Sequence, residues 1–245
     1  MPSSSPVLPL LSDAEAPDAA AGGNLNAGHR SRLRQRLLNG DGTGLHDHEI
    51  IEYLLALAIP RRDTKQLAKQ LIDHFGGLAA VLTADGDSLR ALPGMGETSA
   101  AALRIVQVAA SRLISEPVRR QPILSSWQAL LDYLRLDMAH LTRERVRVLF
   151  LNAKNMLISD DNMSEGSVDQ AAIYTRQVIK RALDLGATSL ILVHNHPSGN
   201  PQPSKQDIQI TREIIEAGKR LGIDVHDHII IGLDGHSSMR SMGLM

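Results

Sequence analysis

The spacing of apolar residues changes near residue 144, and this change restricts the chain to a mixed architecture. Up to about Met138 the apolar residues recur at helical spacing, as they do over 47–58. From Arg145 to Leu151 three apolar side chains, Val146, Val148 and Phe150, alternate with other residues, which is typical of a strand. Further strands are predicted over 189–193 and 225–231, and helices over 175–185 and 204–221. The pattern therefore predicts an α+β chain, helical first and then an α/β/α layered domain with a mixed sheet.

Composition divides the chain into four predicted segments. Residues 1–28 are rich in Pro, Ser, Ala, Gly and Asn and contain no Lys or Arg. Such a segment buries too little apolar surface to offset its ordering entropy, so a disordered tail is expected. Residues 29–115 are predicted to form a helical domain, 116–124 a linker containing Pro117 and Pro122, and 125–245 the α/β domain.

The absence of cysteine excludes several kinds of chemistry at once. Disulfides, a thiol nucleophile and cysteine-based zinc sites are all ruled out, so a zinc site would have to use histidine and carboxylate ligands. The formal net charge of -1 gives no overall signal for nucleic acid. No apolar stretch approaches the roughly 20 residues that span a bilayer, and the first residues lack a signal-peptide pattern. A soluble, cytoplasmic protein without a membrane partner is expected.

A histidine pair with a proline-rich return loop is the sharpest local feature. His194 ends a buried apolar run, and His196 follows two residues later, so in extended backbone both side chains face the same way. Prolines over 197–203 force the chain to loop back, and Ser204 is a suitable N-cap for the next helix. Asp207 then lies in the first helical turn. Two imidazoles and one carboxylate are the ligand set of a catalytic zinc site, although an isolated His-x-His pair is more often ordinary surface or core histidine.

The complete spacing resembles a known metalloprotease motif. His194, His196, Pro197, Ser204 and Asp207 match the JAMM motif of MPN-domain (JAB) metalloproteases. The motif His-Asn-His-Pro-Ser-Gly followed by Pro-Ser-x-x-Asp is similar to that of the bacterial RadC family. The resemblance runs from about residue 29 to the end of the chain. It implies an MPN fold with a curved mixed sheet and cytidine-deaminase-like layering. It also implies that His194, His196 and Asp207 bind Zn²⁺.

The motif also requires a glutamate upstream as general base, and two candidates exist. Glu144 directly precedes the strand 145–151, where the superfamily places this residue, and Glu165 lies in a predicted Ser-Glu-Gly turn over 164–166. We favour Glu144 as the base that accepts a proton from the attacking water and later returns it to the leaving amine. A solvated surface charge is the alternative for either residue.

Ser204 has two compatible interpretations. As an N-cap it is structural, and in the JAMM pattern it also donates a hydrogen bond near the reacting water or the developing oxyanion. We therefore count Ser204 with Glu144 as a candidate catalytic residue. Asp227-His228 could help to orient a metal ligand, but an ordinary core histidine is the simpler interpretation of His228. Asn195 receives no role.

The helical region contains a candidate phosphate-binding hairpin. Leu92-Pro-Gly-Met-Gly96, followed by an apolar helix, resembles a helix-hairpin-helix motif, in which backbone N–H groups approach a phosphate. Glu97 is unfavourable beside a phosphate, so a purely structural hairpin is the alternative. The arginines at 30, 32, 34 and 36 could add a basic face or could simply be solvated. DNA is thus an alternative partner for this region.

These features predict a zinc-dependent JAMM-type metallohydrolase that cleaves peptide or isopeptide bonds in a peptide or protein substrate. The alternative is a DNA-associated RadC-type protein with a repair role, whose MPN domain is a scaffold or a metal-dependent nuclease. Nucleases more often use carboxylate-rich sites for Mg²⁺, whereas two imidazoles suit zinc better. The sequence indicates neither the natural substrate nor the oligomeric state.

Overall fold

The computed structural model of the protein describes residues 25–40, 44–165 and 173–245. These residues fall in two compact units, one within Met1–Leu45 and one spanning His46–Met245. The first unit contains helix α1, Leu25–Asn39. This helix begins inside the segment predicted to be a disordered tail, so that prediction is wrong for residues 25–28; residues 1–24 lie outside the described residues. Arginine and leucine, which are good helix formers, dominate α1 and carry the helix past Gly28.

The second unit opens with five helices, and local signals set most of their ends. Helix α2 ends just before Pro60, and α3 ends at Gly76, whose φ of 89° is the left-handed conformation that glycine adopts freely. Their apolar faces meet in one core that contains Ile51, Leu71 and Leu103. The five helices are α2 (Asp47–Ala58), α3 (Lys65–Phe75), α4 (Leu78–Thr83), α5 (Gly86–Arg90) and α6 (Glu97–Arg120).

The predicted linker over 116–124 is instead a packed part of the second unit. Helix α6 continues to Arg120, because Pro117 lies in its last turn and removes only one intrahelical hydrogen bond there. A 3-10 turn, Ile123–Ser125, follows before helix α7, Trp127–Met138. Val118 and Ile123 are both fully buried in the core beneath the sheet. Burial of these two side chains ties the segment to the α/β domain.

The rest of the second unit is built on a five-stranded mixed sheet in the order β2-β1-β3-β4-β5. Strands β3 and β4 are parallel, and the other neighbouring pairs are antiparallel. Helix α9, Lys205–Lys219, makes the crossover between the two parallel strands, as a parallel pair requires. Helix α8, Thr175–Leu185, precedes β3. The strands are β1 (Arg145–Leu151), β2 (Leu157–Glu165), β3 (Ser189–Asn195), β4 (Asp224–Gly232) and β5 (Gly235–Ser238).

Helices cover both faces of this sheet. On one face, α7 and the end of α6 pack against Leu149, Val193 and Ile229. On the other face, α8 and α9 pack against Phe150 and Leu192. Because β3 is covered on both sides, it is buried along its whole length, which explains its continuous apolar sequence.

The structure confirms the prediction of an α+β chain with helices first and a mixed sheet after them. The helix-hairpin-helix and deaminase-like details stay predictions. The turn predicted at 164–166 is wrong for its first two residues, since β2 extends through Glu165. Strand β5 was not predicted, because Gly-His-Ser-Ser has no apolar pattern. Among the described residues, no helix combines the length and apolar character needed to cross a membrane.

Candidate metal centre

The two motif histidines converge at the end of β3. His194 is only 1% exposed, and its Nε2 atom lies 2.9 Å from Nε2 of His196. The backbone N–H of His196 donates to the carbonyl of Ile231 at 2.8 Å, which extends the pairing with β4 by one residue. Nδ1 of His196 lies 2.9 Å from the carbonyl oxygen of Asn200. A carbonyl only accepts, so Nδ1 carries the hydrogen, and the neutral ring presents the lone pair of Nε2 to the site.

Asp207 reaches the same point from the first turn of α9. Ser204 caps this helix: its Oγ accepts from the N–H of Asp207 at 3.1 Å, and its own N–H donates to Oδ2 of Asp207 at 2.7 Å. This capping box aims the carboxylate back toward the histidines. Oδ1 of Asp207 lies 3.4 Å from Nε2 of His194, and Oδ2 lies 3.6 Å from Nε2 of His196.

These separations are compatible with a small divalent metal ion. Ligands of a tetrahedral zinc, with bonds of about 2.0–2.2 Å, lie roughly 3.3–3.5 Å apart. The distances of 2.9, 3.4 and 3.6 Å, of which the last two are to different oxygens of Asp207, lie on either side of that range. Two imidazole lone pairs that face each other repel unless a cation or a proton lies between them. The donor set and its spacing thus suit a small divalent cation.

Glu144 completes the cluster from the residue before β1. Its carboxylate and the ring nitrogens of His194 and His196 all lie within 4.8 Å of one another, and its side chain is half-buried. That distance allows either a further ligand or a base that acts through one water. The other candidate, Glu165, pairs through its backbone with Arg145 at the end of β2. The side chain of Glu165 lies outside the described residues, so the choice between the two stays a prediction.

Asn195 clamps the backbone on both sides of Glu144. It is 1% exposed, and its Oδ1 accepts from the N–H of Arg145 at 2.9 Å. Its Nδ2 donates to the carbonyls of Arg143 at 3.1 Å and Leu141 at 3.4 Å. The residue between the two histidines therefore fixes the segment that carries the candidate base. Sequence reasoning gave Asn195 no role, because its partners lie some 50 residues away in the chain.

Burial and neighbouring charges shift the pKa values of His194, His196 and Asp207 in different directions. Burial lowers the pKa of His194 to about 4. The nearby carboxylate of Asp207 raises the pKa of His196, and burial opposes that rise only in part. Burial alone would raise the pKa of Asp207, but its contacts with His196, His194 and Ser204 outweigh burial and hold that pKa well below its ordinary value. Near neutral pH the site therefore offers a carboxylate and an unprotonated His194.

His228 lies directly behind His194, in a position that depends on an irregularity in β4. The pairing of β3 with β4 skips one residue, so that Leu190 faces Val225 whereas Ile191 faces Asp227. Such a bulge moves every later side chain of the strand to the opposite face. As a result, His228 lies on the same face of the sheet as Leu192 and His194. No pattern in the sequence predicts this bulge.

At the predicted phosphate-binding hairpin, two of the three expected amides already have partners. The N–H of Met95 donates to the carbonyl of Leu92 at 3.1 Å, and the N–H of Gly96 donates to Oγ of Ser99 at 2.8 Å. Gly94 has a φ of 92°, and its carbonyl accepts from Arg62 at 3.4 Å. This hairpin lies far from the metal cluster in the chain, and DNA binding by it stays a prediction.

Comparison with known families agrees with this geometry. The family model described as RadC-like JAB domain matches residues 124–244. The match includes the whole sheet and each candidate site residue, from Glu144 to Asp207. JAB domains include metal-dependent hydrolases, and the cluster of Glu144, His194 and His196 could hold a metal ion. Residues 124–244 are therefore a RadC-like JAB domain, and this half of the chain belongs to the RadC family.

Proposed function

We propose that this protein is a zinc-dependent hydrolase that cleaves peptide or isopeptide bonds. The observation that supports the proposal most directly is the convergence of Nε2 of His194, Nε2 of His196 and the carboxylate of Asp207, with Glu144 within 4.8 Å of both rings. Three ligands from protein side chains leave one coordination position for water or substrate, which is the arrangement of catalytic rather than structural zinc sites.

The ligand chemistry favours zinc and acyl transfer. Two imidazoles with one carboxylate match zinc, whereas sites for Mg²⁺ that act on phosphodiesters use mainly oxygen ligands. Zinc held here would supply Lewis acidity, which lowers the pKa of a coordinated water to about 7 and polarises a carbonyl group. Hydrolysis of a peptide or isopeptide bond needs both the activated water and the polarised carbonyl group.

The side chains around the ligands supply the proton transfers. The carboxylate of Glu144 accepts one proton from the attacking water while the oxygen of that water bonds to the carbonyl carbon of the substrate. When the C–N bond breaks, Glu144 returns this proton to the nitrogen of the leaving amine. Asn195 holds the backbone on both sides of Glu144 and so keeps the carboxylate facing the histidines. The oxygen of Ser204 accepts from Asp207 in the cap, and its hydroxyl hydrogen can still donate to a developing oxyanion.

Metal content tests the ligand assignment without a known substrate. We expect near-stoichiometric zinc by mass spectrometry in the purified wild type and its loss in His194→Ala and Asp207→Ala. The chain has no cysteine, so adventitious thiolate binding does not contribute to the zinc signal. A wild type that takes up no zinc even after reconstitution would overturn the proposal and leave a JAB scaffold.

Turnover tests the base. Glu144→Gln should keep its zinc and lose hydrolysis of a fluorogenic peptide library and of an isopeptide-linked reporter. Glu216→Gln, which changes an exposed glutamate of α9, is the matched control and should behave as wild type. If Glu165→Gln abolishes turnover while Glu144→Gln does not, the base is Glu165.

DNA binding by the helical region remains the alternative prediction. It requires an affinity for duplex DNA that falls steeply with salt and weakens on charge reversal of Arg32 and Arg34.

A further inference from the structure

A chain of three hydrogen bonds joins two of the proposed metal ligands behind the site. Nδ1 of His194 lies 2.8 Å from Nε2 of His228, and Nδ1 of His228 lies 2.6 Å from Oγ1 of Thr211. Oγ1 of Thr211 lies 2.5 Å from the backbone carbonyl of Asp207, one helical turn earlier in α9. His228 is 3% exposed and Thr211 is 0% exposed, so water does not compete for these bonds.

The chemistry of the groups gives this chain one direction. The carbonyl of Asp207 only accepts, so the single hydrogen of the Thr211 hydroxyl donates to it. The hydroxyl oxygen must then accept the hydrogen on Nδ1 of His228. In the neutral ring Nε2 of His228 carries a lone pair, which accepts from Nδ1–H of His194. The only other hydrogen-bonding partner of the hydroxyl among the described residues is Sδ of Met239 at 3.8 Å, a weak acceptor.

We propose that His228 and Thr211 are positioning residues for the metal site, which order His194 so that Nε2 presents its lone pair before a metal ion arrives. This inference rests on the proposed zinc site. The same three hydrogen bonds fix the rotation of the His194 ring relative to the turn of α9 that carries Asp207. His196 is held in the same Nδ1–H tautomer by the hydrogen bond from its Nδ1 to the carbonyl of Asn200. Both imidazoles are thereby held in one tautomer, each by a different part of the fold.

Variants of Thr211 test this role with Zn²⁺ alone. Thr211→Val keeps the shape of the side chain but removes both the acceptor for His228 and the donor to Asp207. We expect its zinc dissociation constant, measured by competition with a chromophoric chelator, to rise about tenfold. Thr211→Ser retains the hydroxyl and should stay within about threefold of wild type.

Thr64→Val is the matched control. Thr64 is also 0% exposed, and its hydroxyl donates to the carbonyl of Glu52 at 3.0 Å, far from the metal ligands in the chain. This variant should lose stability in thermal unfolding yet bind zinc as wild type does. Wild-type affinity in a folded Thr211→Val protein, or equal weakening in Thr64→Val, would overturn the positioning role.

Long-range ¹H–¹⁵N NMR of the metal-free wild type tests the direction independently of any variant. We expect His194 and His228 both in the Nδ1–H tautomer near neutral pH. An Nε2–H tautomer of His194 would refute the ordering even if zinc binds. Failure of the wild type to bind zinc, with the expected tautomers present, would overturn the proposed function instead.

Discussion

Gly232 is the residue at which a single added methyl group should disturb the metal site most specifically. It ends β4, and a Cβ atom there would lie 2.0 Å from the carbonyl oxygen of Gly199 and 3.2 Å from the nitrogen of Pro201. Both atoms belong to the backbone of the loop that follows His196. A normal carbon–oxygen contact needs roughly 3.4 Å, so the loop would have to shift by more than about 1 Å.

The expected cost of Gly232→Ala follows from this overlap. Overpacking of this kind costs about 1–3 kcal/mol, which in a folded unit of this size lowers the unfolding temperature by roughly 2–4 °C per kcal/mol. The shift would also move Asn200, whose carbonyl holds the ring of His196. We therefore expect zinc affinity to fall at least about tenfold.

Substitutions at two other glycines distinguish a general loss of stability from a specific shift of the loop after His196. A Cβ at Gly218 would lie 2.5 Å from the carbonyl oxygen of Ile223, away from the loop, so Gly218→Ala should destabilise the protein but leave zinc affinity unchanged. A Cβ at Gly86, in the first turn of α5, would meet nothing within 4 Å, so Gly86→Ala should leave zinc affinity unchanged and should not destabilise the protein. Thermal unfolding and chelator competition measure both quantities. Wild-type values of both in Gly232→Ala would refute the close approach of β4 and the loop.

Two further predictions concern the base and the ligands. Asn195→Ala removes the hydrogen bonds that Asn195 makes with the N–H of Arg145 and the carbonyl of Arg143, which should lower the free energy of unfolding in urea by about 0.5–1.5 kcal/mol for each bond and reduce turnover more than zinc binding. Equal losses of zinc affinity and turnover would show that Asn195 supports the whole site rather than Glu144. Zinc affinity should fall as pH drops through the raised pKa of His196, because a proton on that ring competes with the metal. Protonation of His194, whose pKa is about 4, should compete with the metal only in more acidic solution. Chelator competition between roughly pH 5.5 and roughly pH 8 checks this, and an affinity that does not change with pH would contradict it.

Much of the local structure follows from the sequence, because its determinants are close together in the chain. Strand β1 and helix α8 have the predicted bounds, since the repeat of apolar residues is itself local. The same holds for the meeting of the three candidate ligands. Strand exit, proline loop and N-cap all lie between His194 and Asp207, and together they predicted a convergence that the structure shows.

The errors lie where packing overrides a local signal. Pro117 and Pro122 suggested a linker, but burial of Val118 under the sheet keeps α6 intact to Arg120. The turn predicted at Glu165 is strand instead, since pairing with Arg145 extends β2. In both cases contacts distant in sequence outweigh a short-range propensity.

By itself, the sequence determined the class of the chain, its family resemblance and the three residues that meet at the candidate metal centre. Only the tertiary structure decided what holds them there. Asn195 binds backbone about 50 residues away, and His228 reaches His194 only because β4 contains a bulge. Strand register and long-range hydrogen bonds depend on which segments meet after folding, and one sequence read along its length does not contain that information.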